Sequence, residues 1–378
     1  MRHVVQGWCP GALRPMASGD GLVVRVRPPG GTLSSVQATG LADLAARHGN
    51  GLLDLSARAN LQLRGVTEAS HPALLLGLTA LGLLDSNAKA EKGRNIIITP
   101  FWTDGDTVQP IAQALQRAVT AADWPDLPSK FGYAIDNAHA PVLRATSADI
   151  RIEARADGFL IWPDGAATGA QFAAADAVIA AIADLIAWFL QSGGVNNGRG
   201  RMAALMARGA TLPQAFSATP VSSACPFTPA PGMLSQGALL GLEFGQMQAQ
   251  TLADLAAFGP LRVTPWRMLM LEGAGHMPDL PGLITRPDDP MLRVIACTGA
   301  PGCLQAHQPT RDLARTLAPA WRSGTLHVSG CAKGCAHPTA ANVTLVGTPD
   351  GFDLIRNGTA ADMPAECALS PFLTELPQ

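Results

Sequence analysis

The sequence Leu-Ala-Asp-Leu-Ala-Ala occupies residues 41–46 and occurs again at residues 252–257. Further matches follow in the same order in both regions: Cys9-Pro10 with Cys225-Pro226, Gly21–Val24 with Gly237–Leu240, and 53–65 with 261–273. The offset between the two copies falls only from 216 residues at Cys9 to 208 residues at Leu53. An ordered series of matches of this kind indicates that the chain contains two copies of one structural repeat.

Each copy is predicted to have the same order of elements. In the first copy, alternation and β-branching predict a strand at 23–26, and apolar spacing predicts a helix at 36–48. Two short strands follow at 53–56 and 60–64, and a second helix spans 71–84. The order β-α-β-β-α is that of a ferredoxin-like half-module, so we expect two modules that pack about a pseudo-two-fold axis.

The segments after the modules also correspond, because Asn95–Pro100 parallels Leu292–Cys297 and places Pro100 where Cys297 stands. The sequence therefore predicts an α+β fold with two half-modules and two α/β halves. A stretch rich in Ala, Thr and Pro at 211–231 is interpreted as the linker between the copies. The predicted domains are residues 1–90, 91–215, 216–290 and 291–378.

Four cysteines lie in the second α/β half, at positions 297, 303, 331 and 335. Their spacing is C-x5-C, a gap of 27 residues, and C-x3-C. Four thiolates on two turns rich in Gly and Pro can hold a [4Fe–4S] cluster, because each iron takes one sulfur ligand from the protein. This pattern indicates a protein that transfers electrons.

Zinc and disulfides are the alternatives for these cysteines. Structural zinc pairs usually have the spacing C-x2–4-C, which the first pair exceeds. Residues 1–8 contain no apolar segment of signal-peptide length, and the total of seven cysteines is odd. We therefore expect a cytoplasmic protein with reduced thiols, in which Cys9, Cys225 and Cys367 are ordinary side chains.

Composition limits the function further. The chain has 378 residues, a formal net charge of −2 and 47% hydrophobic residues, which is typical of a globular protein that binds neither nucleic acid nor an anionic membrane. The most apolar stretch, 173–190, contains Asp176 and Asp184. Two aspartates would be costly in lipid, so this stretch is predicted to form a buried or half-buried helix.

The cysteine pattern behind a duplicated module resembles the sirohaem-dependent sulfite and nitrite reductases over nearly the whole chain. Within that family, residues 14–22, 25–31, 298–303 and 329–338 are similar to the precorrin-3B synthases. The resemblance implies a [4Fe–4S] cluster held by Cys297, Cys303, Cys331 and Cys335. In the sirohaem reductases the last of these cysteines also bridges to the sirohaem iron.

The precorrin-3B synthase branch implies a particular reaction. Precorrin-3A would be hydroxylated at a meso carbon with closure of an acetate side chain to a γ-lactone, in aerobic cobalamin synthesis. O₂ would supply the oxygen, NADH the electrons, and a mononuclear non-haem iron would accompany the cluster. His337 is a candidate ligand of that iron, a hydrogen-bond donor behind the cluster, or a turn residue. Because no Gly-x-Gly-x-x-Gly motif follows a strand, we expect a separate reductase to deliver the electrons.

The family uses basic residues to hold its anionic substrate, and three positions match: Arg58, Arg94 and Lys130. A second lysine of the family pattern is Gly132 here, which argues against reduction of sulfite. Two amide side chains are further candidates for the pocket, Asn60 and Asn95. The alternatives for the whole protein are a sirohaem-dependent sulfite or nitrite reductase and a non-enzymatic zinc-binding scaffold.

Overall fold

The computed structural model describes residues 9–137, 141–222 and 227–370. The first module forms an antiparallel sheet with two helices beside it. A capping box between Ser34 and Gln37 begins the first helix. The elements are β1 (Met16–Ser18), β2 (Gly21–Val26), β3 (Thr32–Leu33), α1 (Ser35–His48), β4 (Leu52–Leu55), β5 (Leu61–Val66) and α2 (His71–Ala80). The predicted order of elements is confirmed for this module.

The elements of the first α/β half are α3 (Ala88–Gly93), β6 (Ile96–Ile98), α4 (Val108–Thr120), β7 (Tyr133–Asn137), β8 (Ile150–Arg155), β9 (Gly158–Pro163), β10 (Thr168–Phe172), α5 (Ala175–Gln191), α6 (Met202–Ala207) and β11 (Thr219–Pro220). Its strands form a sheet in the order β11-β10-β9-β8-β7-β6. Helix α5 buries Ile182, Leu185 and Phe189 against this sheet, as expected for the apolar stretch. No helix among the described residues is long and apolar enough to cross a membrane.

The second module repeats the first with one difference. Its elements are β12 (Gly232–Leu234), β13 (Gly237–Leu242), β14 (Gln246–Gln248), α7 (Ala249–Ala256), β15 (Leu261–Val263), β16 (Met268–Glu272) and β17 (Leu283–Ile284). The short strand β17, which pairs with β13, stands where the repeat predicted a second helix. The prediction of that helix is wrong because the segment 273–290 contains prolines at 278, 281, 287 and 290, which interrupt helical hydrogen bonding.

The five strands described in the second α/β half follow the topology of β6 to β10 in the first. The elements of the second half are β18 (Val294–Ala296), α8 (Arg311–Leu317), β19 (Leu326–Ser329), β20 (Ala341–Thr348), β21 (Gly351–Gly358) and β22 (Glu366–Leu369). In both halves the first three strands are parallel and the next two are antiparallel. One equivalence is corrected: Thr99 and Cys297, rather than Pro100 and Cys297, follow the paired strands and donate their N–H groups to the neighbouring strand.

The two modules exchange strands. Strand β3 of the first module pairs with β15, with Leu33 opposite Leu261. Strand β14 of the second module pairs with β4, with Gln246 opposite Asp54. One continuous core contains both sheets and the helices α1 and α7. Each sheet therefore contains one strand from the other module. The predicted boundaries at residues 90 and 216 do not separate the two sheets.

Because β3 pairs with β15, we expect the side chain of Leu33 in the first module to stabilise the second module. We expect Leu33→Ala to lower the free energy of unfolding by about 2–5 kcal/mol, because Leu33 is 0% exposed and its removal leaves a cavity. Urea unfolding measures this effect, and Leu76→Ala on α2, which is 74% exposed, serves as the matched control. Equal stability of the two variants would contradict the exchange of strands.

Candidate functional site

The parallel pairing of β18 and β19 brings the two cysteine pairs together. Cys297 directly follows β18, and Cys331 follows β19, so both lie at the carboxyl edge of neighbouring parallel strands. The N–H of Cys297 donates to the carbonyl of Val328 at 3.3 Å. The N–H of Gly330 donates to Sγ of Cys297 at 3.2 Å, which joins the loops of the two cysteine motifs. The fold therefore places cysteines from both motifs beside one another.

The electrostatics of these thiols fit a cationic metal core. Desolvation raises the pKa of Cys335, Lys333 lowers it, and the other three cysteines raise it again. The pKa of Cys331 is also raised, first by burial and then by Cys297 and Cys303. Thiolates in this arrangement repel one another, and a bound iron–sulfur core would neutralise them. The four side chains therefore fit a [4Fe–4S] cluster.

A mononuclear zinc site fits the same residues less well. Zinc requires its ligands to converge on one point, about 2.3 Å from each sulfur. Among the described residues, no three His, Cys, Asp or Glu side chains form a group that could hold one metal ion. A cubane cluster instead takes one thiolate at each of four separate irons. The C-x5-C spacing, which is longer than that of usual zinc pairs, is the observation that favours the cluster over zinc.

A cavity of about 670 Å³ lies directly beside the cysteine loops. Cys303, Cys331 and Cys335 form one wall of this cavity, which we call the cleft. Strand β1 and residues of two loops of the first α/β half, 128–130 and 198–201, form other parts of its wall. The volume lies within the range of about 300–1,000 Å³ that is usual for small-molecule and cofactor sites.

The cleft is strongly basic. Six cationic side chains line it: Arg25, Arg58, Lys130, Arg199, Arg201 and Lys333. None of the described residues in its wall is an aspartate or a glutamate. A wall of this composition attracts a ligand with several negative charges, and guanidinium groups can form paired hydrogen bonds to carboxylates.

Arg58 is held at the cleft by two hydrogen bonds. Its Nη1 donates to the carbonyl of Lys130 at 3.0 Å, and its Nη2 donates to Oγ of Ser147 at 3.1 Å. Burial lowers the pKa of Arg58, and the nearby charge of Arg201 lowers it further. Arginine stays protonated in proteins, so a half-buried cation of this kind gains from an anionic partner.

Arg201 is oriented by a buried carboxylate. Its Nε donates to Oδ1 of Asp149 at 2.9 Å, and Asp149 is 0% exposed. The N–H of Gly132 donates to the other oxygen, Oδ2, at 3.0 Å. A Cβ at Gly132 would lie 2.6 Å from Nδ2 of Asn95, so a lysine does not fit there without rearrangement. The departure from the family pattern at Gly132 therefore has a structural reason.

Arg25 lies opposite Gln62 in the pairing of β2 with β5. In the orientation of its amide that satisfies both groups, Gln62 accepts from Nε of Arg25 at 3.2 Å and from Nη2 at 2.7 Å. Burial, followed by the charge of Arg27, lowers the pKa of Arg25 to about 10, so the side chain is cationic at neutral pH. This cross-strand pair directs a fixed positive charge to the cleft.

Three predicted pocket residues lie outside the cleft. Arg94 is 6% exposed, and its guanidinium binds Asp85 at 2.7 Å and the carbonyl of Arg27 at 2.8 Å. Nδ2 of Asn95 donates to the carbonyl of Phe131, and Asn60 is buried beside Arg94. The contacts of Arg94 join the first α/β half to the first module, and none of the three side chains lines the cleft.

His337 also lies outside the cleft, in the wall of a second cavity of about 270 Å³. Its Nε2 lies 3.1 Å from Oγ1 of Thr339, and its ring meets that of His327 edge to face with centroids 5.6 Å apart. Burial, His337 and Arg267 lower the pKa of His327 to about 4. Arg267 donates to the carbonyl of Ala336 at 2.7 Å and lines the same cavity as His337.

Sequence reasoning missed four cations of the cleft: Arg25, Arg199, Arg201 and Lys333. Two signals were present, because Lys333 lies between the last two cysteines and Arg25 alternates with buried residues on a predicted strand. Arg199 and Arg201 belong to a Gly-rich loop that only the fold brings to the cleft. Lys130 and Arg58, which were predicted, both line it.

The second module does not repeat the basic wall. Trp266 occupies the position that corresponds to Arg58 at the offset of 208 residues. It stacks on Phe101 with ring centroids 5.7 Å apart, and Phe227 packs against it at 5.1 Å. The three aromatic rings therefore pack against one another at this position.

Known proteins share this architecture. The family model described as the nitrite/sulfite reductase ferredoxin-like half domain matches residues 14–81. A precorrin-3B synthase from Sinorhizobium sp is 33% identical over 95% of this chain and 84% of that protein. The chain belongs to the family of nitrite and sulfite reductases and precorrin-3B synthases.

Other members of the family agree with this assignment. A ferredoxin–nitrite reductase from Synechococcus elongatus is 26% identical over 88% of this chain and 77% of that protein. The structure of the Mycobacterium tuberculosis NirA protein superimposes with a TM-score of 0.62 at 18% identity, covering 88% of this chain and 74% of that one. The latter comparison bears on the fold alone. The resemblance and the fold class inferred from the sequence are confirmed, and the named relatives are oxidoreductases.

Proposed function

We propose that the protein is an enzyme that hydroxylates precorrin-3A with O₂ and forms the γ-lactone of precorrin-3B, in aerobic cobalamin synthesis. The observation that supports this most strongly is the cleft of about 670 Å³, which combines six cationic side chains with three of the four cluster cysteines. The similarity to a precorrin-3B synthase over 95% of the chain supports the same substrate.

The basic wall suits a tetrapyrrole with many carboxylates. Arg58 and Arg201 would bind substrate carboxylates, since Ser147 and Asp149 already fix the directions of their guanidinium groups. Lys130 and Lys333 would add less directional charges on either side. This arrangement would hold the macrocycle beside the cysteine loops and leave it little freedom to rotate.

The four cysteines would hold the [4Fe–4S] cluster, which supplies electrons to the reaction when bound. Insertion of one atom of O₂ into a C–H bond reduces the other atom to water, which takes two electrons and two protons. The sequence has no Rossmann fingerprint for NADH, so we propose that a separate reductase provides the electrons. The residues described do not fit a mononuclear iron, because no three potential ligands group together, and no residue is assigned to one.

A sirohaem-dependent reductase of nitrite or sulfite is the second candidate. One observation favours it: Cys335, which would bridge to the sirohaem iron, lies in the wall of the cleft. Gly132 argues against a sirohaem reductase. The second lysine of the family pattern is absent at this position, where a Cβ would lie 2.6 Å from Nδ2 of Asn95.

The need for a separate reductase is a testable prediction. We expect the purified, cluster-loaded protein to show no turnover of precorrin-3A with NADH alone, and turnover when a reductase or a chemical mediator is added. Product analysis by mass spectrometry measures both conditions. Turnover with NADH alone would mean that the chain binds the nucleotide itself.

The proposed function is tested by iron, sulfide and zinc analysis, a visible spectrum and binding of precorrin-3A under anaerobic conditions. We expect about four irons and four sulfides per chain, broad visible absorption and saturable binding of precorrin-3A. Intense chlorin-type bands would support the sirohaem reductase instead. Zinc without sulfide, or the absence of binding, would contradict the proposal.

A further inference from the structure

The carbonyl oxygen of Gly302, immediately before Cys303, receives three hydrogen bonds from the first module. Oγ of Ser18 donates to it at 2.6 Å, the N–H of Gly19 at 3.2 Å and Nη2 of Arg64 at 3.0 Å. The loop that contains Cys303 is thus bound across an interface by residues about 240–280 positions away in the sequence.

The guanidinium of Arg64, which donates to this loop, is also held by carboxylates of its own module. Its Nε and Nη2 bind the two carboxylate oxygens of Asp20 at 2.9 and 2.7 Å, and Asp54 lies 3.7 Å from Nε. Arg64 is 6% exposed. A buried, bidentate pair of this kind holds its geometry well, because its loss would leave a buried charge without a partner.

The backbones of the β1–β2 turn and the cysteine loop are also tightly packed. A Cβ at Gly19 would lie 2.0 Å from the carbonyl oxygen of Pro301, so the turn between β1 and β2 packs backbone to backbone against the cysteine loop. Within its own half, the N–H of Cys303 donates to the carbonyl of Gly299, and the next residue, Leu304, is 75% exposed. The cysteine loop is therefore bound both within its own half and, through Gly302, to the first module.

We propose that Arg64, supported by Asp20 and Ser18, is a positioning residue that keeps Cys303 on its iron. This inference rests on the proposed cluster. When the three hydrogen bonds weaken, the iron at Cys303 becomes the one most readily lost. In that reaction [4Fe–4S]²⁺ releases Fe²⁺ and gives one electron to O₂, which leaves [3Fe–4S]⁺.

The test compares the rate of that conversion in Arg64→Gln, Ser18→Ala and the unchanged chain after brief exposure to air. EPR of the [3Fe–4S]⁺ state and the ratio of iron to sulfide are the measurements. We expect conversion to be about tenfold faster in Arg64→Gln, severalfold faster in Ser18→Ala, and partly restored in Arg64→Lys. The control is Arg47→Gln, which removes an exposed pair with Asp43 and should leave the rate unchanged.

Two outcomes separate this inference from the proposed function. Equal conversion rates in the unchanged chain and in both Arg64→Gln and Ser18→Ala would overturn the positioning role while leaving the cluster in place. An unchanged chain without iron and sulfide would overturn the cluster, and the inference with it. If Arg64→Gln does not fold, Ser18→Ala decides the question, because it removes one donor to Gly302 and one acceptor of Arg64 and keeps both members of the ion pair between Arg64 and Asp20.

Discussion

Replacement of Cys335 by Ser is expected to lower iron and sulfide from about four per chain to less than one and to remove the visible absorption. A hydroxyl is a hard ligand that binds iron–sulfur cores poorly, whereas the thiolate is soft. Cys335 is exposed to the cleft, so solvent would reach the incomplete corner of the cluster directly. Turnover of precorrin-3A should fall with the cluster content.

The control for this experiment is Cys367→Ser. Cys367 is an exposed thiol on β22, outside both cysteine motifs, so its replacement should leave iron, sulfide and absorption unchanged. Retention of a complete cluster by Cys335→Ser, or an equal loss in Cys367→Ser, would refute the assignment of Cys335 as a ligand.

Removal of the Arg58 guanidinium should weaken binding of precorrin-3A by about 10- to 100-fold, because a hydrogen bond to a charged group contributes about 1.5–3 kcal/mol. Arg58→Lys should recover part of this loss, since it keeps the charge but not the fork of two donors. An anaerobic absorbance titration at two salt concentrations measures the effect. Affinity of the unchanged protein should fall as salt rises, since the cationic cleft attracts the ligand electrostatically.

Arg47→Ala provides the control for Arg58→Ala, because Arg47 is an exposed arginine on α1 that pairs with Asp43. Its affinity should match that of the unchanged protein. Equal affinity of Arg58→Ala and Arg47→Ala would mean that the tetrapyrrole does not contact Arg58, and would leave the basic cleft without its proposed ligand.

The sequence predicted the duplication, the order of elements in the first module and the buried helix α5, because each depends on local periodicity and repeated residues. It could not predict the exchange of β3 and β14. Those strands have two and three residues, and their partners lie in the other module. Pairing of short strands over such distances is set by tertiary packing rather than by local pattern.

Residues of the candidate site could be predicted from the sequence where their spacing or motif indicates a particular chemistry. The four cysteines were proposed as ligands because their spacing fits an iron–sulfur pattern, and Arg58 and Lys130, which line the cleft, followed from family motifs. Arg94 matched a motif equally well but binds Asp85 inside the fold. Charge alone does not tell whether an arginine faces a ligand or a buried carboxylate. That distinction depends on which side chains lie near the arginine in the folded chain. The position of Arg201 in the wall of the cleft likewise depends on the fold.

The most direct test of the proposed hydroxylation is turnover of precorrin-3A under isotopically labelled O₂ by the cluster-loaded protein with a reductase. We expect a product that is heavier by one labelled oxygen atom, formed only while the cluster is present. Reduction of nitrite or sulfite by the same preparation, without incorporation of label into precorrin-3A, would contradict the proposed hydroxylation.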